Sequence, residues 1–262
     1  MSAGRHQLSS FFRRLDTQGE PSDRGSLIRR VNKRNVWLCK KVTVVVISSA
    51  LLLTTATSRW VIAEVRDDER EVGLSGMDLD PADLSGANLN NADLSEANLE
   101  NADLSDTQLG EANLSQANLS GANLSGAFIF NANLTKVNFT NANLSGANVF
   151  GANLFGSKLS SANLSGAFLI TANLAGATLE QADLSKAYLQ GSSLAQANLF
   201  GANLSGAFLQ GSDLSGANLK DANLSGANLS SSRNLSQSQL DTACGNDKTQ
   251  LPEGGTIKAC VE

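Results

Sequence analysis

From Leu74 onward a large apolar residue stands at every fifth position, through Leu79, Leu84 and Leu89 to Leu229. The run holds 32 such centres, all leucine except Ile129, Phe139 and Val149. Two positions before each centre the side chain is small, nearly always Ala, with Ser157, Ser192 and Ser212 as equivalents. Between them stands, most often, Asn or Asp, so the chain repeats Ala-Asn-Leu-Ser-Gly. A period of five suits neither regular element. On a helix, at about 100° per residue, the leucines would scatter over every face. In a flat strand they would alternate between the two faces. An extended stretch that bends once in five residues does collect them, because the small residue and the centre, two apart, share a side. Closed into a coil, such sides put every leucine inside, and coils stack by backbone pairing at ~4.8 Å per layer.

The spacing breaks after Leu229, where the next apolar centre is Leu235. An open coil edge has to be covered. Ser236-Gln-Ser-Gln239 followed by Leu240 and Ala243 predicts a short helix with a capping-box start, which forms the lid. Upstream, 42–58 is free of charge and rich in Val, Leu and Thr, and extends to Ala63 if Arg59 reaches the interface. Roughly 20 helical residues cross the hydrocarbon layer, so 42–63 is predicted as a transmembrane helix or signal anchor. Cleavage as a secretory signal is the rival reading.

These patterns resemble the pentapeptide-repeat family, with 19 units reading Ala-Asn-Leu or Ala-Asp-Leu. The resemblance is to bacterial members with an N-terminal membrane anchor. It implies an all-β solenoid, a right-handed quadrilateral parallel β-helix with four pentapeptides per coil, hence about eight coils and a rod of roughly 38 Å. The stretch Leu235 to Cys260 also resembles a tail that follows such solenoids. The expected organisation is a basic flexible cytoplasmic tail (1–41), the anchor (42–63), a linker (64–71), the β-helix (72–230) and a C-terminal cap (231–262).

Charge divides the chain. Residues 1–65 carry 11 Lys and Arg against 4 Asp and Glu, and the remainder carries 9 against 21. Lys40 and Lys41 before the apolar run and Asp67, Asp68 and Glu69 after it place the tail in the cytoplasm and the repeats outside, periplasmic or lumenal; cleavage would make them secreted. Cys244 and Cys260 flank a Gly-, Pro- and Asp-rich loop. Outside the cytoplasm they pair as a disulfide; in a cytoplasmic domain they are two small thiols.

With twenty residues per coil, positions equal modulo twenty share a face, and one face is unlike the others. Phe128, Phe168, Tyr188 and Phe208 precede its centres, and Phe130, Phe150 and Ile170 follow them. Such a strip is a contact surface for a second copy, a protein partner or a lipid interface, or an aromatic ladder that stiffens the rod. The acids cluster early, with thirteen from Asp67 to Glu111 and none in 112–179. Asp83 and Asp103 fall one coil apart and read as a solvated ladder.

Catalysis has little to stand on. The single histidine, His6, lies in the tail, and no nucleophile–base pair, metal set or cofactor motif is visible. The sequence predicts a non-catalytic membrane-anchored scaffold or protein-interaction module, with no small-molecule substrate. The alternative, borrowed from the family, is a cytoplasmic DNA-mimicking protein that binds gyrase and protects it from quinolones; apart from that, nucleic acid is not an expected partner.

Overall fold

The computed structural model describes residues 73–260 and the backbone of 45–48 and 60–63. The chain forms two units, Met1–Asn35 and Val36–Glu262, and the first lies outside the described residues. Among the described residues of the second, β1 (Val45–Ser48), β2 (Trp60–Ala63) and β3 (Ala82–Asp83) precede one helix, α1 (Gln237–Leu240). Most of the architecture lies instead in single-residue parallel bridges between positions twenty apart. Eight such steps lead from Gly73 through Asp93 to Arg233, and three further columns start at Asp78, Asp83 and Asn88. Four pentapeptides therefore close one coil.

Each backbone group of a pentapeptide has a definite place, and together they dictate the residue types. The centre's carbonyl accepts from the N–H three residues on, as Leu89 does from Ala92 at 3.1 Å, which closes a tight turn. The third residue of that turn has positive φ: glycine at Gly121 (68°) and Gly206 (67°), other residues at Asn91 (59°) and Thr171 (57°). A turn bonded this way with φ > 0 at its third position is of type II, which explains the recurrent glycine. Between coils, the Leu94 N–H donates to the Asn113 carbonyl at 2.7 Å, the Asn113 N–H to the Ala92 carbonyl at 2.9 Å, and the Glu96 N–H to the Ser115 carbonyl at 2.9 Å.

One donor remains, the N–H just after each centre, and the Asn or Asp before the centre takes it. Ser95 N–H donates to Asp93 Oδ1 at 3.1 Å, and Ser125 N–H to Asn123 Oδ1 at 3.3 Å. The asparagine amide then donates one coil back: Asn118 Nδ2 to Asn98 Oδ1 at 3.1 Å, and Asn138 Nδ2 to Asn118 Oδ1 at 2.9 Å. Asparagine fits because it both accepts and donates; an aspartate accepts only. Asp78 begins its column and accepts from Asn98 Nδ2 at 3.0 Å, with no amide of its own left unpaired.

The core is a single column, mostly of leucine and alanine, buried to within a few per cent from Leu89 to Leu229. Each buried leucine contributes on the order of 1.5–3 kcal/mol, spread along the stack. Phe139 occupies a leucine position and is fully buried. Where serine replaces the inner alanine, its hydroxyl bonds inward: Ser157 Oγ donates to the Leu154 carbonyl and Ser192 Oγ to the Leu189 carbonyl, each at 2.8 Å.

The last coil is covered by the tail. Ser236 caps α1, its side chain accepting from Gln239 N–H while the Gln239 side chain accepts from the Ser236 backbone. Gln239 Nε2 donates to the carbonyls of Leu214 and Ala217, each at 2.8 Å; no further coil reaches the Ala217 carbonyl, and the Leu214 carbonyl also accepts from the Ala217 N–H within its turn. Leu240 and Ala243 are buried beneath the lid, and Cys244 and Gln250 extend two columns by bridging to Asn223 and Asn228.

Within 42–63, where the sequence predicts a spanning helix, the described backbone differs. β1 and β2 are extended and pair antiparallel, with Val45 opposite Ala63, and β2 pairs parallel with β3. Val45, Val46, Ile47, Val61 and Ile62 are β-branched and prefer extended backbone. Hydrocarbon surroundings override that preference, because each backbone polar group must then be satisfied within its own segment. The rest of 42–63 lies outside the described residues, as do the tail 1–41 and the linker 64–71. No helix among the described residues is long and apolar enough to cross a membrane.

Candidate contact face

The bridges assign each outward residue to one of four faces. On the face that carries the column Asn88, Gln108, Phe128, Asn148, Phe168, Tyr188, Phe208 and Asn228, a second column runs two residues later, from Asn90 to Ser230. Neither column contains a charged residue. Each of the other faces does: Asp93 and Asp213 on one, Asp78, Lys158 and Lys220 on the next, and Asp83, Asp103 and Asp183 on the last.

The structure brings together all seven aromatic and aliphatic residues singled out in the sequence. Phe128 is 48% exposed, Phe150 46%, Phe168 43% and Phe130 36%; Ile170, Tyr188 and Phe208 are half-buried. The rings form two different arrangements. Phe168, Tyr188 and Phe208 stack face to face up the rod, with centroids 4.8 and 5.0 Å apart and planes within 4° and 12° of parallel. The coil repeat imposes that spacing, so part of the strip is a self-stacked ladder. Phe130 instead lies back over Gly110 of the preceding coil, where a Cβ would collide with the ring. Gly110 has no left-handed φ to justify it; it makes room.

The aromatics displace something the fold uses elsewhere. Phe and Tyr have no oxygen at the asparagine Oδ1 position, so the N–H groups of Phe130, Ile170, Gln190 and Gln210 lose their side-chain acceptor. Phe150, which follows Asn148, keeps its own at 3.2 Å. Gly110, which follows Gln108, is served by Asn90 Oδ1 at 2.7 Å. Among the described residues, Gln190 and Gln210 also hold buried side-chain oxygens without a partner. The same acceptor is lost after Lys158, Thr178 and Ser193 on other faces, but the loss recurs most often on this one.

Among the described residues two outward-facing aromatics lie outside the seven. Phe155, 48% exposed, stands on the adjacent face, and Phe200 is half-buried beneath the Lys220 ammonium, 5.8 Å from the ring centre. Both follow a leucine directly, where serine is usual, and that departure was the available signal.

The acids of the first coils belong to the scaffold. Ser105 Oγ donates to Asp103 Oδ1 at 2.7 Å, as Ser85 Oγ does to Asp83. Hydrogen bonds from Ser95, and to a lesser extent Asn113, hold Asp93 below the usual carboxylate pKa against the opposing effect of burial. Asn234, Ser215 and the charge of Arg233 do the same for Asp213. No group of acids, cysteines or histidines among the described residues could hold a metal ion. At the far end a disulfide joins Cys244 to Cys260, with an S–S distance of 2.11 Å, close to Ser225 and Asn223 of the last coil.

No curated protein matches the chain. Among solved structures, HetL, a pentapeptide-repeat protein involved in heterocyst differentiation regulation in the cyanobacterium Nostoc sp. strain PCC 7120, is 35% identical. That match covers 71% of this chain and 87% of HetL, with a TM-score of 0.34. Rfr23 from the cyanobacterium Cyanothece 51142 is 36% identical over 42% of this chain and 63% of its own, with a TM-score of 0.31. QnrB1, a plasmid-mediated fluoroquinolone resistance protein, is 20% identical over 68% of this chain and 91% of its own, with a TM-score of 0.38. The family model for pentapeptide repeats matches in eight copies over 78–116, 117–156, 152–191 and 192–231. With that model matching more than half of the chain, the chain belongs to the pentapeptide-repeat family, and its coil is the right-handed β-helix of that family.

Proposed function

We propose that this chain is a non-catalytic scaffold or protein-interaction module, tethered to a membrane through 42–63, with its repeats outside the cytoplasm. The observation that carries the interaction reading is the uncharged face, on which Phe128, Phe130, Phe150 and Phe168 stay exposed over three successive coils. Exposed apolar side chains gathered into one strip mark contact surfaces. The tether is supported by the charge-free run 42–58 and the basic-to-acidic change across it. The DNA-mimicking alternative needs acid along the rod, whereas this chain has none in 112–179. The Cys244–Cys260 disulfide suits an oxidising compartment.

The test uses the full-length chain in a bacterial host, with reporter fusions at each end and alkaline extraction of membranes. The chain should resist extraction, with the C-terminal reporter active only outside the cytoplasm. Phe128→Asn, Phe168→Asn and Phe208→Asn together should keep the far-UV spectrum and abolish cross-linking to the partner. Extraction into the soluble fraction sinks the tether, and unchanged cross-linking sinks the contact face.

A further inference from the structure

We propose that the occupant of the aromatic face is a second copy of this chain, laid side by side and parallel with the first about a two-fold axis along the rods. The inference rests on reading this face as a contact surface and adds the partner's identity. Three observations point to a copy.

The first is charge. The strip is the one face whose two outward columns are neutral throughout, so an identical strip meets it without stranding an ion, whereas each other face would. The second is period. Phe168, Tyr188 and Phe208 rise in steps of 4.8 and 5.0 Å, and a surface that interdigitates with such a ladder needs the same step, which a second coil stack supplies.

The third is unspent hydrogen bonding. The face holds donors without acceptors, the N–H groups of Phe130, Ile170, Gln190 and Gln210. It also holds acceptors without donors, the Gln190 and Gln210 Oε1 atoms. A face unsatisfied in both senses finds complementary groups on its own copy.

The same groups choose the orientation. In the parallel arrangement each column faces the other column of the partner at the same height. Phe128 then meets Phe130, Phe168 meets Ile170, and the Tyr188 hydroxyl meets the Gln190 amide, whose oxygen turns outward to accept, while Gln210 meets Phe208; one of the two amide oxygens thus gains a donor. An antiparallel pairing centred on Leu169 would set Phe150 against Gln190 and Phe130 against Gln210, and a ring offers an amide oxygen no donor of comparable strength.

Area sets the strength. A face about 38 Å long and roughly 10 Å wide offers about 400 Å² per rod, half of the ~800 Å² per partner in a stable complex. The pair is therefore weak and concentration-dependent in free solution.

Sedimentation equilibrium of the full-length chain in detergent, over a wide range of concentration, tests this. The wild type should pass from monomer to dimer. Phe128→Asn, Phe150→Asn and Phe168→Asn together should weaken the dimer at least tenfold, and Phe155→Asn on the adjacent face should leave it unchanged. Asparagine already occupies the first column at Asn148 and Asn228 and the second at Asn90, so the triple variant is expected to fold, as circular dichroism would confirm. For orientation, chains carrying Asn148→Cys mixed with chains carrying Phe150→Cys, both with Cys39→Ser, should cross-link on oxidation; a mixture of Asn148→Cys and Tyr188→Cys chains should not. The reverse pattern overturns the parallel arrangement. A chain that remains monomeric throughout overturns self-association, while a partner cross-link lost in the Phe→Asn variants would leave the contact face itself standing.

Discussion

A single residue of the repeat answers to more than one constraint, and where two conflict the chain carries strain. Thr171 shows this most sharply. It holds φ at 57°, in the left-handed region, although it is β-branched, and its hydroxyl donates to the neighbouring Ile170 carbonyl at 2.7 Å. Thr171→Gly should remove a backbone penalty of about 1–2 kcal/mol while adding roughly 0.5–1 kcal/mol of unfolded-state entropy. The expected net gain is about 0.5–1 kcal/mol, read as a rise in the urea midpoint with an unchanged slope; a fall would show that the threonine side chain contributes more than its backbone costs. The five-residue spacing made the inner leucines and the bend legible in the sequence, because both follow from which side chains share a side. That outward asparagines bond to backbone or to one another follows from their stacking; that each caps the N–H just beyond its centre was not legible. It depends on how close the turn brings Oδ1 to that donor, and spacing alone does not say so.

At the scale of an element, the cap α1 shows how a four-residue helix can matter. It is too short to be stable alone. Its place is fixed by Gln239, which accepts from Ser236 at one end of its amide and donates to the Leu214 and Ala217 carbonyls at the other. Gln239→Glu keeps the shape and removes the donor, leaving two carbonyls facing a carboxylate; a cost of about 2–4 kcal/mol follows. Because each coil leans mainly on its neighbours, that loss should stay local. Hydrogen exchange should quicken for amides in 214–229 and leave 94–189 at wild-type protection. Uniform quickening would mean that the stack unfolds as one unit. The lid could be read from the capping-box residues; its role as donor to the open edge could not, since that edge exists only once coils are stacked. The extended pairing of β1 and β2 also went unforeseen, because an apolar β-branched run satisfies the length rule for a span and the propensity rule for a strand alike.

The whole molecule converts a position in sequence into a direction around an axis, and that conversion can be tested without touching one aromatic residue. Twenty residues make one turn of the stack, as the bridges from Gly73 to Arg233 require. Removing 92–111 takes out one full coil, shortens the rod by ~4.8 Å and leaves Phe128 through Phe208 in line. Removing 157–161 takes out one side only. The pentapeptides on either side still join Leu to Ala at the correct spacing, so the core closes, but Phe128, Phe130 and Phe150 rotate onto a face next to that of Phe168, Tyr188 and Phe208. Both deletions should fold, with the same far-UV spectrum per residue. Cross-linking through the aromatic face should survive the longer deletion and fall steeply in the shorter one. If the five-residue deletion binds as well as the intact chain, the aromatics act singly or serve only to stiffen the rod, and their alignment over successive coils has no part in recognition.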